Sequence, residues 1–102
     1  MTKQNSHAKE FTVQIVTKFL QKQKRNWAWV SVSMLQQQYK LDQEMANILR
    51  GVFKKYYRHS RGVNHNFYIY DRVKDGGRYL YLVNTERESL RAREQTSQFN
   101  RP

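Results

Sequence analysis

Residues 42–58 read DQEMANILRGVFKKYYR, and their helical periodicity decides the fold. Asp42 is a good N-cap residue, because its carboxylate can accept a hydrogen bond from a backbone N–H of the first turn. A helical wheel puts the apolar side chains into one continuous stripe, made of Met45, Ala46, Leu49, Val52, Phe53 and Tyr56. The opposite face carries Gln43, Glu44, Asn47, Gly51, Lys54, Lys55 and Arg58. The stretch therefore predicts an amphipathic helix over residues 43–58 that ends near His59.

The sequence before this helix predicts two more helices and a short strand. Apolar residues recur at three- and four-residue steps from Ala8 to Phe19, which indicates a helix over residues 7–23 with Ser6 as its N-cap. The run Trp27–Val30 is too short for a helix and suits a strand. Either Ser31 or Ser33 can cap a further helix that reaches Lys40, and the second choice gives capping-box spacing to a glutamine. Its inward residues would be Met34, Leu35 and Tyr39.

The sequence after this helix predicts a β-hairpin. Two runs rich in β-formers, which together span residues 67–83, flank the turn signal Asp75-Gly76-Gly77. Thr85 and Glu88 have capping-box spacing and open a charged segment, residues 85–102, which we expect to be a short exposed helix or a tail. Residues 1–6 are polar, and we expect a flexible start.

The order helix, strand, helix, turn, helix, hairpin resembles the winged helix-turn-helix family of DNA-binding domains. Four segments carry the resemblance: residues 30–35, the turn 40–42, the helix 43–58 and the hairpin 67–83. The resemblance implies an α+β fold over residues 7–84, with three helices and a C-terminal β-hairpin wing. It also implies that the helix 43–58 enters the major groove of double-stranded DNA while the wing grips the flank.

The charge balance points to an anionic partner without reference to any family. The 102 residues hold 19 Lys and Arg against 8 Asp and Glu, so the net charge is +11 and the pI is about 10.2. Between Met45 and Tyr70 there is no acidic residue, but there are five basic ones: Arg50, Lys54, Lys55, Arg58 and Arg61. A solvated face usually mixes both signs, so this bias favours nucleic-acid binding.

Individual residues suit particular contacts with a duplex. Gln43 and Asn47 could pair bidentately with adenine edges, and Glu44 could accept a hydrogen bond from cytosine. Gly51 would allow the helix to approach the groove closely, which would explain a residue that costs about 1 kcal/mol of helix stability relative to alanine. Basic side chains further along are better placed for phosphates: Lys54, Lys55 and Arg58 on the helix, and Arg72, Lys74 and Arg78 around the hairpin tip.

Other classes of function have little support in the sequence. No cysteine is present, which removes disulfides and thiolate metal sites and fits a reducing, cytoplasmic location where the protein would associate with the nucleoid. His7, His59 and His65 lack partners at ligand spacing, and no nucleophile motif occurs, so we expect no metal, no cofactor and no enzymatic activity. No apolar run approaches the roughly 18 residues that a membrane-spanning helix needs, and the N-terminus lacks a signal-peptide core.

Two other kinds of binding stay open at this point. Four hairpin tyrosines, Tyr68, Tyr70, Tyr79 and Tyr81, could stack on bases of RNA or single-stranded DNA, although alternating tyrosines are more often cross-strand packing pairs. A winged helix could instead serve as a protein–protein module for an acidic partner. Trp27 and Trp29 are expected at the core or its edge.

A domain of this size would act by occupying DNA or by recruiting a partner protein to it. The expected roles are transcriptional regulation, most commonly repression, and accessory functions in plasmid or phage replication or segregation. One recognition helix reads few base pairs, so we expect a homodimer. Its candidate surfaces are the first helix and the segment Glu86–Gln95, with apolar contacts from Leu90 and Phe99.

Overall fold

The structure, a computed structural model, describes residues 2–85 and has an α+β fold. Its elements in chain order are α1 (Thr2–Gln23), β1 (Trp27–Val30), α2 (Val32–Gln38), α3 (Gln43–Tyr56), β2 (Tyr68–Asp75) and β3 (Arg78–Asn84). The strands form one antiparallel sheet in the order β1-β3-β2, so β3 is central. This arrangement is compatible with a winged helix. The predicted segment 85–102, with the dimer contacts Leu90 and Phe99, lies outside the described residues except for Thr85.

The structure corrects the predicted start of the first helix and decides between the two caps predicted for the second. Helix α1 begins at Thr2, so Ser6 lies inside it and is not its N-cap, and residues 2–6 are helical. The N-cap of α2 is Ser31, whose backbone is extended and whose Oγ accepts a hydrogen bond from the Met34 N–H at 3.1 Å. Ser33, the alternative cap, lies inside the helix. Of the two predicted caps, Ser31 is therefore the one that is confirmed, and it satisfies the first-turn donor.

Helix α2 ends at Gln38, two residues earlier than predicted, because Lys40 leaves the helical conformation. Its φ is +53°, in the left-handed region where glycine usually stands after a helix. The Leu41 N–H then donates to the Gln36 carbonyl at 2.9 Å, which closes the helix end. The turn between α2 and α3 contains no glycine, and Lys40 takes the left-handed position in it.

Helix α3 confirms the predicted start at residue 43 with Asp42 as its N-cap, and corrects the predicted end. Asp42 is the N-cap, and its Oδ1 accepts a hydrogen bond from the Met45 N–H at 2.8 Å. The helix stops at Tyr56, and Arg58 has a φ of +58° while its N–H donates to the Ile69 carbonyl of β2. Met45 was wrongly assigned to the buried stripe. It is 40% exposed, because the first turn of α3 lies at the surface and burial begins at Ala46.

The main core lies between the three helices and one face of the sheet. From α3, Phe53 packs against the Tyr81 ring of β3, with ring centroids 5.0 Å apart, and against Phe67 at 6.5 Å. Residues from every other element complete this cluster; among them are Val16, Phe19, Leu35, Val30, Ile69 and Val83. The apolar stripe of α3 is therefore packed into the core from Ala46 onward, and the opposite face of the helix points outward.

The other face of the sheet carries a second, aromatic cluster. Tyr68, Tyr70 and Leu82 are buried there, and Trp27 and Trp29 pack against them half-buried. The tryptophans are thus at a core edge, as predicted. The Arg25 guanidinium lies 4.4 Å from the centroid of the Trp27 ring, a cation–π contact.

A β-bulge in β2 changes which face its later residues occupy. Ile69 pairs with Val83 and Asp71 pairs with Leu82, so Tyr70 is an extra residue between two consecutive pairs of the register. Strict alternation would put Arg72 on the same face as Tyr68 and Tyr70. The bulge instead pairs Arg72 with Tyr81, on the face that looks toward α3.

Two glycines provide a matched test of backbone constraint. Gly62 has a φ of +60°, and a Cβ there would lie 2.6 Å from the Tyr68 ring and closer still to a backbone oxygen. Gly51 lies inside α3, where a Cβ would meet no described atom within 4 Å. We expect Gly62→Ala to lower the free energy of unfolding by about 2 kcal/mol or more, through strain and collision.

The same change at Gly51 should raise the free energy of unfolding by up to about 1 kcal/mol, since alanine is the better helix former. Urea denaturation of the two variants and the unsubstituted protein measures both effects. Equal shifts for the two variants would contradict the assigned conformations.

Candidate nucleic-acid interface

A groove of about 530 Å³ lies between α3, the start of α2 and the β2–β3 hairpin. We call it the basic groove; its lining residues are Val32, Ser33, Arg50, Lys54, Arg72, Gly77, Arg78, Tyr79 and Tyr81. Four of these described residues are cationic and none is acidic. Two elements that are distant in sequence thus contribute positive charge to one concave surface.

The α3 side of the basic groove is formed by one row of exposed polar side chains. Arg50 and Lys54 lie one helical turn apart on this row. Asn47 precedes them, and its Oδ1 accepts hydrogen bonds from Arg50 Nη1 at 3.0 Å and from Gln43 Nε2 at 3.1 Å. Asn47 must therefore give up one of these bonds before its oxygen can accept from an adenine amino group. The predicted adenine contact is possible only with a local rearrangement.

The hairpin side of the basic groove is organised around Arg72. Its guanidinium lies 4.5 Å from the centroid of the Tyr57 ring and 4.7 Å from that of Tyr79. It also donates a hydrogen bond to the Tyr81 hydroxyl. Arg72 was predicted to lie around the hairpin tip, which is wrong, since it lies within β2 opposite Tyr81. Stacking and hydrogen bonding hold its planar side chain in one place, as lysine could not.

The phenol of Tyr81 is the one described group whose pKa departs clearly from its ordinary value. Burial raises the pKa of Tyr81 above 10.0, and the positive charge and hydrogen bond of Arg72 partly oppose this rise. Tyr81 is only 6% exposed and packs on Phe53, so the neutral phenol is the form that the folded protein favours. The phenol oxygen accepts the hydrogen bond that orients Arg72.

Three of the predicted DNA-binding residues, Asn47, Gly51 and Lys55, lie on a neighbouring surface instead of in the basic groove. Gly51 and Lys55 face a shallow hollow of about 290 Å³ between α1 and α3, which we call the α1–α3 hollow. Its lining residues are Ala8, Lys9, Asn47, Ile48, Gly51, Val52, Lys55 and Tyr56. Asn47 borders this hollow and also bonds to Arg50 of the basic groove. The exposed face of α3 is therefore divided between two concave surfaces.

The remaining predicted residues are exposed but do not line the basic groove. Glu44 lies in the first turn of α3, where a carboxylate is favourable because of the helix dipole. Arg58 and Arg61 lie in the loop that follows α3, and Lys74 lies near the hairpin tip. Three residues were not predicted as parts of these surfaces. Ser33 lines the basic groove, Tyr57 stacks on Arg72, and Lys9 lines the α1–α3 hollow. Only the alternation of Tyr79 and Tyr81 could have indicated that aromatic rings accompany the hairpin cations.

The four hairpin tyrosines do not form the stacking surface considered from the sequence. Tyr68 and Tyr70 are buried on one face of the sheet, with rings stacked 5.9 Å apart. Tyr81 belongs to the main core on the other face, and only Tyr79 is well exposed, at 41%. The prediction of cross-strand tyrosine pairs is also wrong, because Tyr68 contacts Tyr70 within β2 and Tyr79 contacts Tyr81 within β3.

Within residues 2–85, no three His, Asp or Glu side chains come together as a metal site would require. None of the described helices combines the length and apolar character needed to cross a bilayer. Comparisons of the chain with protein-family profiles, curated proteins and solved structures gave no significant match. Function is therefore inferred from the residues and geometry of this chain alone.

The raised pKa of Tyr81 has a measurable effect on stability at alkaline pH. The unfolded phenol ionises near its ordinary pKa of 10.0, whereas the folded phenol ionises only at higher pH. The resulting stabilisation is complete below pH 10.0 and is lost as the pH rises through the folded pKa. We expect the Tm to fall above pH 10.0, and to fall less steeply in Tyr81→Phe.

Thermal melts between pH 8 and pH 11 measure this effect. The matched control is Tyr79→Phe, which removes a surface phenol from the same strand. A Tyr81→Phe profile no flatter than that of the control would contradict the assignment.

Proposed function

We propose that this protein is a winged helix-turn-helix protein that binds double-stranded DNA without covalent chemistry. In this proposal α3 enters the major groove and the β2–β3 hairpin acts as the wing on the flanking backbone. The observation that carries the proposal is the basic groove, where Arg50 and Lys54 of α3 face Arg72 and Arg78 of the hairpin. A surface that joins an exposed helix to a cationic hairpin suits a duplex, which offers a groove beside a phosphate backbone.

The dimensions of α3 fit this role. Its 14 residues extend for about 21 Å, and a helix of about 10–12 Å diameter fits a major groove about 12 Å wide. The buried stripe anchors α3 on the core, so its polar row faces outward. Gln43, Glu44 and Asn47 in the first half would meet base edges, and the cations would meet phosphates.

The biological role that we propose is site occupancy, as in transcriptional repression, or an accessory function in plasmid or phage replication or segregation. A single groove-reading helix covers few base pairs, so the proposed complex is a homodimer on two half-sites. Light scattering coupled to size exclusion is expected to report a dimer at tens of micromolar, alone or with duplex DNA. A monomer under both conditions would contradict this proposal.

The test of DNA binding is a salt titration on a mixed-sequence duplex. The double variant Arg50→Ala/Lys54→Ala should bind less tightly and with a weaker salt dependence, because each cation that neutralises a phosphate contributes about 0.9 to the log–log salt slope. At 0.1 M salt, the removal of each such cation corresponds to about a tenfold decrease in affinity. Lys18→Ala is the matched control, since Lys18 is an exposed cation of α1 that lines neither concave surface. It should change binding by less than about twofold.

Parallel titrations with single-stranded DNA and RNA separate the proposal from its main alternative. Binding to single strands as tight as to the duplex, and abolished in Tyr79→Ala, would favour base stacking on the exposed tyrosine. A decrease in log affinity in Lys18→Ala that is half of that in the double variant, and therefore equal per charge removed, would indicate only a diffuse attraction between charges. Either result would overturn the assignment of the basic groove to duplex DNA.

A further inference from the structure

The α1–α3 hollow combines an apolar floor with a cationic rim. Ile48 and Val52 of α3 contribute to the floor, and Lys9 and Lys55 stand at the rim on α1 and α3. Both lysine Nζ atoms lie close to one aromatic ring, at 5.6 and 5.7 Å from the centroid of Tyr56. None of the described residues around the hollow is acidic. Among the described residues that line this surface, no carboxylate balances the two lysines.

Gly51 keeps the floor of the hollow open. Glycine inside a helix costs about 1 kcal/mol relative to alanine, yet a Cβ at this position would meet no described atom within 4 Å. Internal packing therefore does not require the glycine. The lack of a side chain at Gly51 therefore gives space only to a binding partner that approaches the α3 backbone from outside the chain.

The shape and chemistry of the hollow favour a peptide over a nucleic acid. A phosphate backbone would match the lysines but would leave the apolar floor facing charged oxygens. An acidic peptide with a large apolar residue matches both parts, because the apolar side chain covers the floor while carboxylates reach the lysines. A volume of about 290 Å³ is at the lower end for ligand pockets, roughly 300–1,000 Å³, and suits one anchoring side chain.

The apolar surface continues beyond the hollow along α3. Met45 is 40% exposed and lies three residues before Ile48, so the two side chains are neighbours on the helix surface. An amphipathic peptide seated in the hollow could therefore place a second apolar residue against Met45.

We propose that the α1–α3 hollow is a docking site for an acidic peptide segment of a partner protein, with a large apolar side chain seated over Gly51. The site lies next to the basic groove but is distinct from it, since Gly51 and Lys55 follow Arg50 and Lys54 by one residue, about 100° around the helix. Peptide docking does not depend on DNA binding.

The probe is a set of three twelve-residue peptides of matched length. The first is rich in glutamate with two leucines at helical spacing, the second has serines in place of the leucines, and the third has lysines in place of the glutamates. Fluorescence anisotropy at low salt should show that the first binds at least tenfold more tightly than the others. In ¹⁵N-labelled protein, its addition should shift the amide signals of Ile48, Gly51 and Val52 in particular.

Variants of the rim and floor complete the test. Lys9→Glu/Lys55→Glu should weaken binding of the first peptide at least tenfold, whereas the matched control Lys18→Glu/Lys22→Glu places the same charge change elsewhere on α1. The control should weaken binding by less than about threefold. Gly51→Ala should weaken it severalfold while raising the Tm.

Three results would overturn the inference. They are no binding of the first peptide at millimolar concentration, equal decreases in the rim and control variants, or signal shifts centred on Arg50 and Arg78. A duplex-DNA arm adds a fourth: a decrease in duplex affinity in Gly51→Ala with peptide affinity unchanged would assign the hollow to DNA. Peptide binding by a protein that fails to bind DNA would leave this inference standing while the proposed function fell.

Discussion

The β-bulge at Tyr70 is the constraint on which the basic groove depends. One extra residue in β2 moves Arg72 from the aromatic face of the sheet to the face that looks toward α3. There its guanidinium stacks on Tyr57 and Tyr79 and bonds to the Tyr81 hydroxyl. Without the bulge, strict alternation would send this cation into the cluster of Tyr68, Tyr70 and Leu82, where a buried charge would be costly. Of the two hairpin cations that line the basic groove, only Arg78 would then remain opposite Arg50 and Lys54.

Helix α3 serves three surfaces at once, and its sequence is divided accordingly. Its apolar stripe, centred on Leu49 and Phe53, joins α1 and α2 to the sheet. A polar row with Arg50 and Lys54 borders the basic groove, and the next row, with Gly51 and Lys55, borders the α1–α3 hollow. Because large aromatic residues such as Phe53 and Tyr81 fill the core, a domain with few apolar residues can carry charged side chains on most of the surface of α3.

The parts of the fold that were predictable from sequence are those governed by local interactions. The helical period of α3 and its N-cap Asp42 are predictable from sequence, because both depend on residues within one or two turns. The hairpin is predictable from sequence because Gly76 and Gly77 adopt the positive φ angles that its turn requires. The errors have nonlocal or competing causes. Ser31 and Ser33 were both possible caps, and Met45 fits the wheel but lies where no other element covers α3.

By itself, therefore, the sequence determined the helices, the hairpin and the excess of positive charge, since each follows from composition or short-range spacing. Only the tertiary structure decided how those charges are distributed between the basic groove and the α1–α3 hollow. Residues adjacent on α3 face different neighbours, because successive helical positions are about 100° apart and α1 and the hairpin lie on different sides. The bulge then decides which hairpin side chains join them. Its position depends on how β2 pairs with β3, and no local pattern in residues 68–75 records that register.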